Sequence, residues 1–79
     1  MGFREKEALT YKSPAGVIVN VGDFVKIGDW IGFVQHIDRS FNRWRATIHL
    51  FNYPHGNGQF IRNLADINKS WNFQLYEPP

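Results

Sequence analysis

From Arg43 to Phe51 the chain alternates without interruption. Trp44, Ala46, Ile48 and Leu50 interleave with Arg43, Arg45, Thr47, His49 and Phe51. Successive side chains on a strand point to opposite faces, so one apolar set and one polar set describe a half-buried antiparallel strand. Nowhere among the 79 residues does helical spacing of apolar positions persist long enough to compete. The expected fold class is all-β.

The segment ahead of this strand supplies its partner. Trp30 to Asp38 reads as a long strand with Ile31, Phe33 and Ile37 on one face. A four-residue loop, Arg39-Ser40-Phe41-Asn42, then places Asp38 opposite Arg43. That register sets Ile37 against Trp44, Phe33 against Ile48 and Ile31 against Leu50. The other face pairs His36 with Arg45 and Val34 with Thr47. A slip by one residue turns the apolar set outward, so the register is strongly specified.

Shorter elements flank the pair. Val17, Val19 and Val21 alternate, and Gly22-Asp23 and Gly28-Asp29 are turn signals on either side of a strand from Phe24 to Ile27. Asn52 to Gly58 is loop by composition, Gln59 to Arg62 a short strand, and Leu64-Ala65-Asp66-Ile67 a single 3-10 turn. Trp71, Phe73 and Leu75 alternate in a last strand, followed by Pro78-Pro79. Residues 1–13, with mixed charge and few apolar positions, read as a loosely ordered arm with one helical turn around Glu5–Leu9. Residues 14–79 are the folded domain, built from five or six short strands.

Composition bounds the rest. A chain of 79 residues is one domain with a thin core. It contains no cysteine, which excludes disulfide scaffolds and thiolate zinc sites. The apolar runs fall far short of the roughly 20 residues that span a bilayer, and no basic-then-apolar segment opens the chain, so a cytoplasmic protein without a membrane partner is expected. The formal charge is +2 and the pI about 9.2, with the clustered excess at Arg39, Arg43 and Arg45. Three Trp, three Tyr and seven Phe exceed what so small a core hides, so exposed aromatic surface is expected.

Short sheets close or stack to bury one face and protect their edges. The order here is a Gly-Asp turn, two long meander strands, a loop, a short strand, a 3-10 turn and a last strand. It resembles the SH3-like barrel superfold over about residues 17–76. Val21-Gly22-Asp23-Phe24-Val25-Lys26-Ile27 looks like the opening strand of KOW and Tudor-type small barrels, and Gly32-Phe33-Val34-Gln35-His36-Ile37 their second strand. The resemblance implies a single barrel, and that superfold serves many functions.

The Gly-Asp turns are also similar to those of biotinyl and lipoyl carrier domains and of LytM-type metallopeptidases. The tight loop, however, holds Arg39 and Arg43 rather than a carrier lysine, and Ile48-His49-Leu50 has one histidine where the peptidases have two. Plasmid-type dihydrofolate reductases are a further resemblance. Gln59-Phe60-Ile61 falls roughly where that family carries its pore strand, although Arg62 stands in place of the family's tyrosine. This likeness implies a tetrameric pore enzyme with a nucleotide cofactor.

No catalytic constellation emerges. His36 and His49 share an outward face about four residues apart in the expected register, too far for one metal ion, and His55 lies in a loop. Asp23 and Asp29 occupy turns for backbone reasons. Neither a nucleophile elbow nor a phosphate-cradling loop is present. The expectation is a non-catalytic binding module with no cofactor and no metal. The strongest local feature is Arg39-Ser40-Phe41-Asn42-Arg43-Trp44-Arg45. Clustered guanidiniums neutralise phosphates, and an exposed ring stacks on unpaired bases. Arg39, Phe41, Arg43 and Arg45, with His36, are therefore the candidate nucleic-acid contacts, with Trp44 pointing inward. The plainer alternative is a solvated tip in which Arg43 pairs with Asp38 and Phe41 plugs the barrel end. Trp30, Phe51 and Tyr53 are the candidate protein-interaction residues, in a chain that assembles with a partner or with copies of itself.

Overall fold

In the computed structural model of the chain, the described residues are 6–8 and 10–77. Their order is β1 Lys6–Ala8, β2 Thr10–Lys12, β3 Ile18–Asn20, β4 Phe24–Ile27, β5 Trp30–Ser40, β6 Arg43–Leu50, β7 Gln59–Asn63, a 3-10 turn at Leu64–Asp66, and β8 Gln74–Leu75. The main sheet runs β7-β6-β5-β4-β8, with β1 joining β5 beyond the end of β4, and β2 with β3 forms a separate two-stranded sheet. All the ladders are antiparallel. The protein is thus all-β, with one 3-10 turn ahead of its last strand. Among the described residues no ladder joins β7 to β8, so the main sheet is open rather than closed into a barrel.

The alternation of β6 holds. Ala46, Ile48 and Leu50 are buried on the inner face, and Trp44 packs at the edge of the same core. Val25 and Val34 join them, as do Leu64 of the 3-10 turn, Ile67 just after it, and Phe73. The turn forms where expected because Asn63 accepts a hydrogen bond from the Ala65 amide at 2.9 Å, while Leu64 is driven inward.

The β5–β6 pairing differs from the expected register in two ways. The loop is shorter: Ser40 pairs with Arg43, leaving Phe41 and Asn42 as the turn, with φ of 51° and 65°. Two successive positive φ values match the right-handed twist of the flanking strands, as two-residue hairpin turns require. Asp38 consequently faces Arg45 rather than Arg43, and Arg39 faces Trp44. The second difference is a bulge between Val34 and His36. An extra residue, Gln35, lets Val34 and Ile37 both point inward although they are three apart. Ile31 and Phe33 are thereby turned to the outer face, against the expectation that they share a face with Ile37. His36 pairs with Thr47, Val34 with Ile48 and Phe33 with His49.

The expected arm is also corrected where it is described. β1 pairs with the far half of β5, and Thr10–Lys12 pairs with β3 through Tyr11 opposite Val19. Tyr11 is only 6% exposed and its ring lies 5.7 Å from that of Trp44. A single buried aromatic is enough to hold this three-residue strand, because an aromatic side chain contributes 150–250 Å² of burial. Within the helical turn expected around Glu5–Leu9, Lys6–Ala8 is strand; Glu5 and Leu9 themselves, like Pro78 and Pro79, lie outside the described residues. The last strand is shorter than expected. Trp71 stays exposed and lies over the β4–β5 turn, where Gly28 has φ of 60° and a Cβ would meet the Trp71 ring at 2.9 Å.

Candidate functional site

The hairpin projects its tip with the Phe41 ring 96% exposed. It does not fold back as a plug. Arg43 and Arg45 alternate with the inward Trp44 and so stand on the outer face of the ribbon. Together Ser40, Phe41, Arg43 and Arg45 line an open concavity of about 410 Å³. Two cations and one free ring thus share one hollow, large enough for a nucleobase or a phosphodiester group.

The other two candidate contacts are placed differently. Arg39 lies on the opposite side of the ribbon: its guanidinium carbon sits 5.7 Å from the Trp44 ring centroid and Nη2 donates to Asn42 Oδ1 at 2.9 Å. His36 is on the outer face, with Nε2 3.9 Å from Asp38 Oδ2, and Arg45 Nε lies 3.6 Å from the other oxygen of the same carboxylate. The pairing is partly shielded: the His36 and Arg45 side chains are 41% and 40% exposed, but the Asp38 side chain is only 18% exposed and the facing Oδ1 and Nε atoms are buried. Its consequence is positional, since Asp38 holds the Arg45 stem along the strand. Arg43 pairs with Ser40 in the ladder.

A second grouping went unread in the sequence. On the outer face, Phe33 stacks on Phe51 at 5.7 Å with 24° between ring planes, Phe24 lies 6.3 Å from Phe51, and His49 lies 5.9 Å from Phe33. The register explains the cluster, because Phe24 faces Phe33 and Phe33 faces His49 across three adjacent strands. Phe24 and Phe51 remain 39% and 40% exposed. Next to them Gln59 Nε2 donates to Gln35 Oε1 at 3.0 Å, so the bulge residue spans β6 to reach the edge strand. The readable signal was in β4: if Val25 and Ile27 are the inward pair, Phe24 and Lys26 must face out.

The proposed interaction trio does not form one surface. Phe51 belongs to the outer cluster, whereas Trp30 contacts Tyr53 edge-on at 5.2 Å, and Tyr53 in turn packs against His55 and Phe60. Tyr53 and Phe60 lie against the core. Gln59 and Ile61, the positions compared with a pore strand, sit on edge strand β7, where Ile61 is 60% exposed. Among the described residues no three His, Asp or Glu side chains gather as metal ligands, and no helix is long and apolar enough to cross a membrane. No protein-family model, curated protein or solved structure matches the chain.

Proposed function

We propose that this domain is a non-catalytic module that binds nucleic acid, RNA or DNA, through the β5–β6 hairpin. The observation that carries the reading is the hollow shared by Phe41, Arg43 and Arg45, with the ring almost wholly in solvent. A phenyl ring in that setting adds nothing to the core. It also occupies a left-handed backbone position that suits Asn or Gly far better. Strain of that kind at a residue without packing value points to a ligand. Arg43 and Arg45 meet phosphates, and Phe41 offers a π-face to a base. Arg39 adds a third guanidinium across the ribbon, and His36 lies beside Asp38 on the outer face.

The meander order, the Gly-Asp turn into β4 and the 3-10 turn before β8 support reading the domain as a relative of the SH3-like small barrels. A protein partner or a second copy is the rival occupant, favoured by the exposed rings of Trp30 and Phe51. The deciding experiment is an NMR titration of labelled protein with oligonucleotides at about 50 mM and 200 mM salt. Saturable, salt-sensitive shifts of the amides in residues 36–46 are expected. If these amides stay still while a large excess is added, the nucleic-acid reading fails.

A further inference from the structure

The hollow at the hairpin tip and the outer aromatic cluster lie on one continuous sheet face, joined by β6. Arg43 and Phe51 are eight positions apart along the chain, roughly 26 Å at about 3.3 Å per residue. Between them the outer face carries Arg45, Thr47 and His49, with the Gln35–Gln59 amide pair alongside. Lys26 shares this face at its far end, since it alternates with the inward Val25 and Ile27. Three cations therefore bracket the rings, with the carboxylate of Asp38 on the same face, Glu7 opposite it in the ladder, and Asp23 and Glu77 lining a hollow with Phe24. An antiparallel sheet normally turns polar residues to water on its free face, and here the polar residues share that face with the rings of Phe24, Phe33 and Phe51.

Resting on the nucleic-acid reading above, we propose that this outer face is a track for a single-stranded nucleic acid. The strand enters at Phe41 and Arg43, runs along β6, and stacks bases on Phe51 and Phe24. The case for a single strand is physical. A duplex hides the faces of its bases and offers phosphates alone, so exposed rings gain nothing from it, whereas unpaired bases stack on any aromatic face. The amide pair reaches base edges in mid-track, with a free donor and acceptor on each side chain. Because the cations lie at both ends, phosphates are neutralised on either side of the stacked bases.

The test compares an oligo(dT) strand of about 12 nucleotides with its duplex with oligo(dA), by fluorescence anisotropy. Wild type, Phe51→Leu and the double variant Arg43→Ala with Arg45→Ala are titrated. Phe51→Leu keeps apolar packing against Phe33, and a dispersed NMR spectrum checks its fold. The expected result is a preference for the single strand of at least about tenfold. Phe51→Leu weakens single-strand binding roughly 5- to 100-fold with the salt slope unchanged. The arginine variant instead lowers the slope by about 1.4. If the duplex binds as tightly as the strand and Phe51→Leu binds like wild type, while the arginine variant is still impaired, the hairpin reading survives and the track is overturned. Should neither nucleic acid bind, both readings fall together. Sedimentation of the free protein as a dimer that Phe51→Leu dissociates assigns the face to a second copy and also overturns the track.

Discussion

Phe41 sets stability against binding within one side chain. With φ at 51° and its ring in solvent, it gives up backbone energy that no packing contact returns. Replacing it by Asn, which tolerates the left-handed region, is expected to raise unfolding stability by about 1 kcal/mol, visible as a higher urea midpoint at unchanged m-value. The same variant should lose oligonucleotide affinity, the usual cost of relieving strain at a working residue. Gly32 presents the reverse case. It is buried between Val25 of β4 and Leu50 of β6, and a Cβ there would run into the His49 carbonyl. Gly32→Ala is therefore expected to destabilise the protein by about 1–3 kcal/mol, because the methyl would overlap the β6 backbone at His49 and Leu50, which cannot swing aside as a side chain can. Equilibrium denaturation measures this directly, and an effect near zero would mean that the strands can part there. The ring of Phe41 was legible in the sequence as a candidate contact, but its backbone strain and the crowding at Gly32 were not. Gly32 reads as an ordinary strand glycine until its neighbours are known, and the Phe41-Asn42 pair lacks the glycine that marks a two-residue hairpin turn.

Among the elements, β5 carries the information that matters most. Its apolar run Ile31-Gly32-Phe33-Val34 offers both faces to a core, and the Gln35 bulge decides which is used. Deleting Gln35 restores simple alternation and forces either Val34 or Ile37 outward. The expected outcome is loss of the dispersed NMR spectrum, since both side chains are fully buried. A folded deletion variant would instead show that the hairpin re-registers, with Phe33 turning inward. β2 supports a second prediction. Tyr11 is 6% exposed and packs against Trp44, so Tyr11→Ala should cost about 3 kcal/mol in a denaturant titration. A loss within a few tenths of a kcal/mol would return residues 10–12 to the status of an arm. The sequence argued against a strand there because its polar flanks, Thr10 and Lys12, conceal the one inward residue. The 3-10 turn was legible for the opposite reason, as Leu64 and Ile67 bracket a segment too short for anything else.

For the molecule as a whole, one side of a five-stranded path holds the core and the other holds the rings. A domain of 79 residues without cysteine depends entirely on that inner layer, so unfolding should be a single cooperative transition unaffected by reductant. Separate transitions for β2–β3 and the main sheet would contradict a shared core. The alternation in β6, the turn glycines and the apolar pair of the 3-10 turn are local signals, and they were enough for the all-β class, the strand order of the meander and the inward face of β6. A basic, aromatic hairpin tip was equally visible, because its residues are contiguous in the chain. Register, the bulge, the docking of residues 10–12 and the openness of the sheet were not, nor was the company kept by Phe51. Each of these depends on which backbone lies opposite, and opposition is set by long-range hydrogen bonding and by the shape of the core. Periodicity tells a strand which of its faces is apolar. Only the packed sheet tells it where along its neighbour that face must stop, and so which rings are left facing water.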